Sequence, residues 1–186
     1  VVASNPGNPC GVGSADYIMD AWTKAFEADK TSIFGGIVVM NRPVTLELAT
    51  ELKKIFLEVI VAPEYDPEGL ALLQQKKNVR VLQLADISVP QPAGSLDLKK
   101  VNGGLIVQTI DSELLHEEDL KVVTEVQPTK EQMEDMLFAW KVVKFTKSNG
   151  IAVAKNKQSV GIGPGQVNRI WATKQCFEHA EELIGP

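Results

Sequence analysis

Residues 37–61 read IVVMNRPVTLELATELKKIFLEVIV. The stretch opens on Ile37-Val38-Val39 and closes on Val59-Ile60-Val61, two short β-branched runs of strand character. Between them Thr45 stands where a helix N-cap belongs, and Leu48, Leu52, Ile55 and Phe56 recur at helical spacing as an inward face. Strand, amphipathic helix and strand in about two dozen residues point to an α/β sheet with helices on its faces.

The same alternation continues outward. Ser14 is positioned to cap a helix whose apolar residues Ile18, Ala21, Trp22, Ala25 and Phe26 share a face. Thr129 and Gln132 form a capping-box pattern ahead of Met133, Met136, Leu137 and Trp140. A last helix is expected from about Gln166 to Leu183, stopped by Gly185-Pro186. Further strand-like runs are Val79-Arg80-Val81-Leu82, Leu105-Ile106-Val107 and Ile151-Ala152-Val153. Residues 85–103, rich in Pro, Gly, Ser and Asp, read as an exposed connection. Residues 113–128 turn from acidic to polar and read as a bridge between two lobes. No repeat or low-complexity tract is visible.

At 186 residues the chain makes one compact domain or two small lobes, since domains commonly hold about 100–150 residues. Hydrophobic residues are 44% and charged residues 23%, as in soluble globular proteins. A net charge of −5 argues against a nucleic-acid-binding surface but leaves room for a local basic pocket. No apolar run approaches the ~20 residues that span a membrane, and no signal peptide is visible. Cys10 and Cys176 do not form a disulfide framework. The cytosol is the expected compartment.

Several chemistries are set aside. His179-Ala180-Glu181 and Pro9-Cys10 resemble halves of a zinc deaminase signature, but in reversed order, with Gly13 where a second cysteine belongs. Cys176 and His179 alone give at most two ligands, short of the three or four a zinc site needs. His179 reads as a solvated helix residue and His116 as part of an exposed acidic helix start. No nucleophile elbow, Walker A loop or dinucleotide fingerprint occurs. The carboxylate pairs Glu117-Glu118 and Glu181-Glu182 read as solvated faces.

One stretch carries binding chemistry. Within residues 138–170 a polar junction, Lys147-Ser148-Asn149, precedes the glycine-rich Gly161-Ile-Gly-Pro-Gly165, which leads into Gln166, Asn168 and Arg169. Glycines let backbone approach a ligand, and a helix start beside an arginine favours an anion. A phosphate or carboxylate site fits; glycines kept for turn geometry alone fit equally.

Collinear blocks add what spacing does not. Asn8-Pro-Cys-Gly11, Thr31-Ser-Ile-Phe-Gly-Gly36, Glu58-Val-Ile-Val-Ala-Pro63 and Val101-Asn-Gly-Gly-Leu-Ile-Val-Gln108 occur in order. They continue as Val122-Val-Thr124, Gln127-Pro128, Phe138-Ala-Trp-Lys-Val-Val143, Lys147-Ser-Asn149 and Gly161-Ile-Gly-Pro-Gly-Gln166. Over nearly the whole chain these resemble the transformylase portion of the bifunctional purine enzyme family that formylates AICAR and closes the ring to IMP.

The resemblance implies a cytidine deaminase-like α/β/α architecture, a mixed sheet with helices on both faces, lacking zinc. It divides the chain into a first lobe over 1–126, partial at its N-terminus, and the opening of an incomplete second lobe over 127–186. It implies AICAR as substrate, 10-formyltetrahydrofolate as co-substrate, no metal, and sites at a homodimer interface. Asn149 would contact the reacting groups. Arg169, Gln166, Gly35 and Glu58 would serve the nucleotide, and Phe34 and Ile170 the folate; core packing is the other reading of Phe34.

The pattern also departs from the family. Where the family carries a catalytic Lys-His pair ahead of the Asn-Pro-Cys-Gly block, this chain reads Asn5-Pro6. Asparagine cannot act as a cationic lysine, and proline has neither imidazole nor backbone donor. Upstream nucleotide-binding and downstream folate segments are absent, so the chain corresponds to the middle of a transformylase. Uncovered sheet edges and apolar faces are then expected to seek a dimer mate or companion chain. Three functions are open: a formyltransferase, a silent nucleotide or folate binder, and a structural module.

Overall fold

The computed structural model describes residues 1–5 and 7–185. The Pro6 half of the Asn5-Pro6 pair and the Pro186 helix stop lie outside the described residues.

Residues 36–62 form β3 (Gly36–Val39), α2 (Leu46–Lys53) and β4 (Leu57–Ala62), with β3 and β4 parallel. The Thr45 hydroxyl accepts from Leu48 N, as an N-cap should. The helix stops sooner than its apolar spacing implied. Ile55 and Phe56 follow it, and the Phe56 ring packs against Phe34 with centroids 5.3 Å apart instead of entering the core.

Around this unit lie β1 (Val2–Asn5), β2 (Asn8–Val12), α1 (Ile18–Ala28), α3 (Pro67–Gln74) and β5 (Arg80–Gln83). The sheet order is β2-β1-β3-β4-β5. β1 is antiparallel to both β2 and β3, while β3, β4 and β5 run parallel. The sheet is therefore mixed, as expected. Ala3, Val38 and Ile60 pair in one row and are fully buried with Trp22, Leu48, Leu52 and Leu73 of the helices. The neighbouring row, Val39 and Val61, is half-buried. The core thus sits between the sheet and α1, α2 and α3.

The expected helix α1 forms, but Tyr17 rather than Ser14 is its N-cap and makes no side-chain cap bond. Residues 85–103 are not wholly a connection. They contain β6 (Leu96–Val101), which pairs with β7 (Gly104–Thr109) in a hairpin exposed along nearly its whole length. Residues 110–129 hold only a 3-10 turn, Glu117–Asp119, capped by His116.

Next come α4 (Lys130–Lys144), β8 (Ile151–Lys155), β9 (Gln158–Gly163) and α5 (Arg169–Ile184). The Thr129/Gln132 capping box is complete. The face read as inward is not covered, for Met136 and Trp140 are about half exposed. α5 begins at Arg169 rather than Gln166, with Asn168 as N-cap. β9 lies against β2 through the bridge Gly13–Gln158 and the Val12 N–H, which donates to Ser159 Oγ at 2.8 Å.

The glycine-rich turn is corrected by β9. Gly161 and Gly163 are buried strand residues; of the three glycines Gly165, φ +65°, lies outside the strand, exposed and left-handed. A Cβ on Gly161 would lie 2.1 Å from the Cys176 carbonyl oxygen, and one on Gly163 2.1 Å from that of Ala172. Gly11 and Gly13 of the β2 segment meet Ala25 and Ala21 of α1 in the same way. These glycines let a helix backbone lie directly on a strand.

Candidate functional site

Three loops meet at one end of the main sheet. The first follows α1, where the Asp29 carboxylate accepts from Thr31 N (3.1 Å) and Ser32 N (2.8 Å) and fixes the chain's direction. It ends on Phe34-Gly35, with Gly35 at φ +71° and its N–H donating to Phe56 O at 2.8 Å. Such a φ suits glycine. The Phe34 ring is 67% exposed, so it is not a core residue. Glu58 sits beside this loop as the extra residue where the β3–β4 register shifts between Gly36 and Ile37, and it is exposed.

The second loop is the β1–β2 turn. Asn5 Nδ2 donates to Ser32 O at 3.0 Å, which ties the turn to the Phe34-Gly35 loop. On its other side Asn8 Oδ1 accepts from Lys147 N at 3.1 Å. The turn therefore bridges the two halves of the expected site.

The third is the junction between α4 and β8. Gly165 N donates to Lys147 O (2.8 Å), Gln166 N to Asn149 O (3.2 Å) and Asn149 N to Gln166 O (3.1 Å). Asn149 Nδ2 also donates to Gln166 O at 3.0 Å. These bonds hold residues 147–149 against residues 165–166. Gln166 turns its own amide to Gln175 Oε1 (2.9 Å) and Pro164 O (3.3 Å). Two residues on, Asn168 Oδ1 accepts from Trp171 N and starts α5, which presents Arg169 and Ile170 to solvent.

Asn149 and Gln166 are thus in direct contact, and Phe34, Gly35 and Glu58 gather at the ends of β3 and β4. No ion pair among the described residues engages Glu58 or Arg169. Phe56 escaped sequence reasoning because its helical spacing disguised it; Asn5 and Asn8 were singled out, but not their partners, which lie 27 and 139 residues away. Cys10, in the Asn-Pro-Cys-Gly block, is not a nucleophile at neutral pH. Burial, and then the Asp29 charge, push its thiol up to about 11.

A roomier concavity lies elsewhere. It is a groove of about 1040 Å³ among Leu120, Val122, Met133, Met136, Trp140 and Ala152. None of the residues above lines it. Its lining is mostly apolar, with Lys121, Gln132, Asp135 and Lys155 among its polar members.

The AICARFT/IMPCHase bienzyme family model matches residues 2–179. The chain belongs to this family. Relatives are the bifunctional purine biosynthesis proteins PurH of Acetivibrio thermocellus and Ruminiclostridium cellulolyticum, each 56% identical over 98% of this chain. PurH of Staphylococcus aureus strain Newman is 51% identical over the same share. The chain spans 35–36% of the length of these relatives. The family match thus takes in all three loops.

Proposed function

We propose that these loops form part of an AICAR and 10-formyltetrahydrofolate site, serving formyl transfer in purine biosynthesis. One observation carries the reading: in a member of this family, Asn149 is fixed by three hydrogen bonds to Gln166, three residues before the exposed Arg169 at the head of α5. Asn149 spends its amide donor on the main chain and keeps Oδ1 as an acceptor for a reacting group. Arg169, Gln166, Gly35 and Glu58 serve the nucleotide, and Phe34 and Ile170 offer exposed apolar surface to a folate ring.

The chemistry needs such positioning. The aromatic amine of AICAR is a weak nucleophile beside its carboxamide, so transfer requires a base and a stabilised oxyanion on the formyl carbon. Fixing two substrates together removes much of the rest of the barrier. The same reading places a lobe boundary at 126/127, gives the lobes a cytidine deaminase-like layering, and completes the site through a homodimer or companion chain in the cytoplasm.

A second reading is favoured by Asn5. Its neutral carboxamide is bonded to Ser32 O and cannot act as a base, so the chain would bind the ligands without turnover. Incubation with AICAR and 10-formyltetrahydrofolate, followed by tetrahydrofolate formation, separates the two. Turnover establishes the transferase. Saturable binding without turnover establishes the silent binder, and absence of both sinks the site.

A further inference from the structure

Lys147 is held in place by its backbone: its N–H donates to Asn8 Oδ1 at 3.1 Å and its carbonyl accepts from Gly165 at 2.8 Å. Its side chain crosses to the β1–β2 turn. A Cβ built on Gly7 would lie 2.8 Å from Lys147 Nζ and 3.3 Å from Cε. The ammonium therefore occupies the space over Gly7 that any other residue would fill. Gly7 has φ +93°, a second reason for glycine there. No carboxylate among the described residues pairs with Lys147. A cation without a counter-ion on an anchored backbone, two residues from Asn149 and between the two halves of the site, is placed to receive a negative charge from a ligand.

We propose that Lys147 is an anion-binding residue of this site, its ammonium over Gly7 holding an anionic oxygen of the ligand. The inference rests on the reading of the loops as an AICAR and folate site and adds a residue to it. The anionic oxygen has two sources, the phosphate of the nucleotide and the glutamate carboxylate of the folate.

The test is calorimetric titration of the wild-type chain and Lys147→Gln with AICAR, its phosphate-free riboside, tetrahydrofolate, and the corresponding tetrahydropteroate without glutamate. Lys147 is exposed, and among the described residues its hydrogen bonds are made by its backbone, so the variant should melt with the wild type. A loss of tenfold or more for AICAR with the riboside unchanged identifies the phosphate. The same loss for tetrahydrofolate with the pteroate unchanged identifies the carboxylate. In either case Lys147→Arg should restore most of the affinity, and added salt should weaken the wild type more steeply than Lys147→Gln. Equal affinities of wild type and Lys147→Gln for both charged ligands overturn this inference alone. Failure of the wild type to bind either ligand overturns the site reading and this inference together.

Discussion

At the residue scale, a few side chains do separable work. Arg169 is exposed and makes no ion pair among the described residues, so Arg169→Ala should leave the melting temperature unchanged. It should weaken a phosphate-bearing ligand by about 1–3 kcal/mol, the range for one charged hydrogen bond, measurable by titration calorimetry. Tyr65 shows a purely structural residue. Its hydroxyl donates toward Ile60 O (3.0 Å) and Leu82 O (2.9 Å), and burial raises it from an ordinary 10.0 to about 12. The folded state holds that proton more tightly than the unfolded one, so the contribution is complete below pH 10 and is lost as pH rises toward 12. Denaturant titrations across that window should show the decline, and Tyr65→Phe should abolish its Tyr65-dependent part. Asn149 and Arg169 stood out in the sequence as candidates because polar residues beside glycines favour binding chemistry. Glu58, Gly35 and Phe34 were not legible from spacing: exposure at a strand bulge or loop depends on register, which only the fold sets.

At the element scale, glycine placement explains both what was misread and what holds the parts together. Gly161 and Gly163 have the local look of a loop, yet their role is to let α5 rest on β9. Pro9, Gly11 and Gly13 hid β2 from a reading based on β-branched runs in the same way. α3, eight residues capped by Asp66, went unread, and a Cβ on its Gly69 would lie 3.2 Å from Ala49 Cβ. By contrast α2 and α4 were legible because their caps are local chemistry. Gly163→Ala should destabilise the fold by about 1–3 kcal/mol through overpacking, since the clash is with backbone that cannot swing away. Gly165→Ala meets nothing within 4 Å and should cost only the strain of its positive φ, about 1–2 kcal/mol. Thr129→Ala should cost about 1 kcal/mol by removing the capping box. Urea denaturation midpoints rank all three.

At the scale of the whole molecule, the described residues leave much apolar surface uncovered. Leu96, Leu98, Leu105 and Val107 of the β6–β7 hairpin and Met136 and Trp140 of α4 are each about half exposed. Surfaces of this kind mark interaction sites, and the chain spans only 35–36% of the length of its PurH relatives. The site reading fits this exposure, because its loops stand open at one end of the sheet. The account turns on whether those loops recognise AICAR. Calorimetric titration of AICAR into the wild-type chain and Arg169→Ala is the most direct measurement. The account predicts saturable binding by the wild type, weakened about tenfold in the variant, equivalent to about 1.4 kcal/mol, with identical melting curves. Equal affinity in the two proteins, or no binding by the wild type, would contradict it.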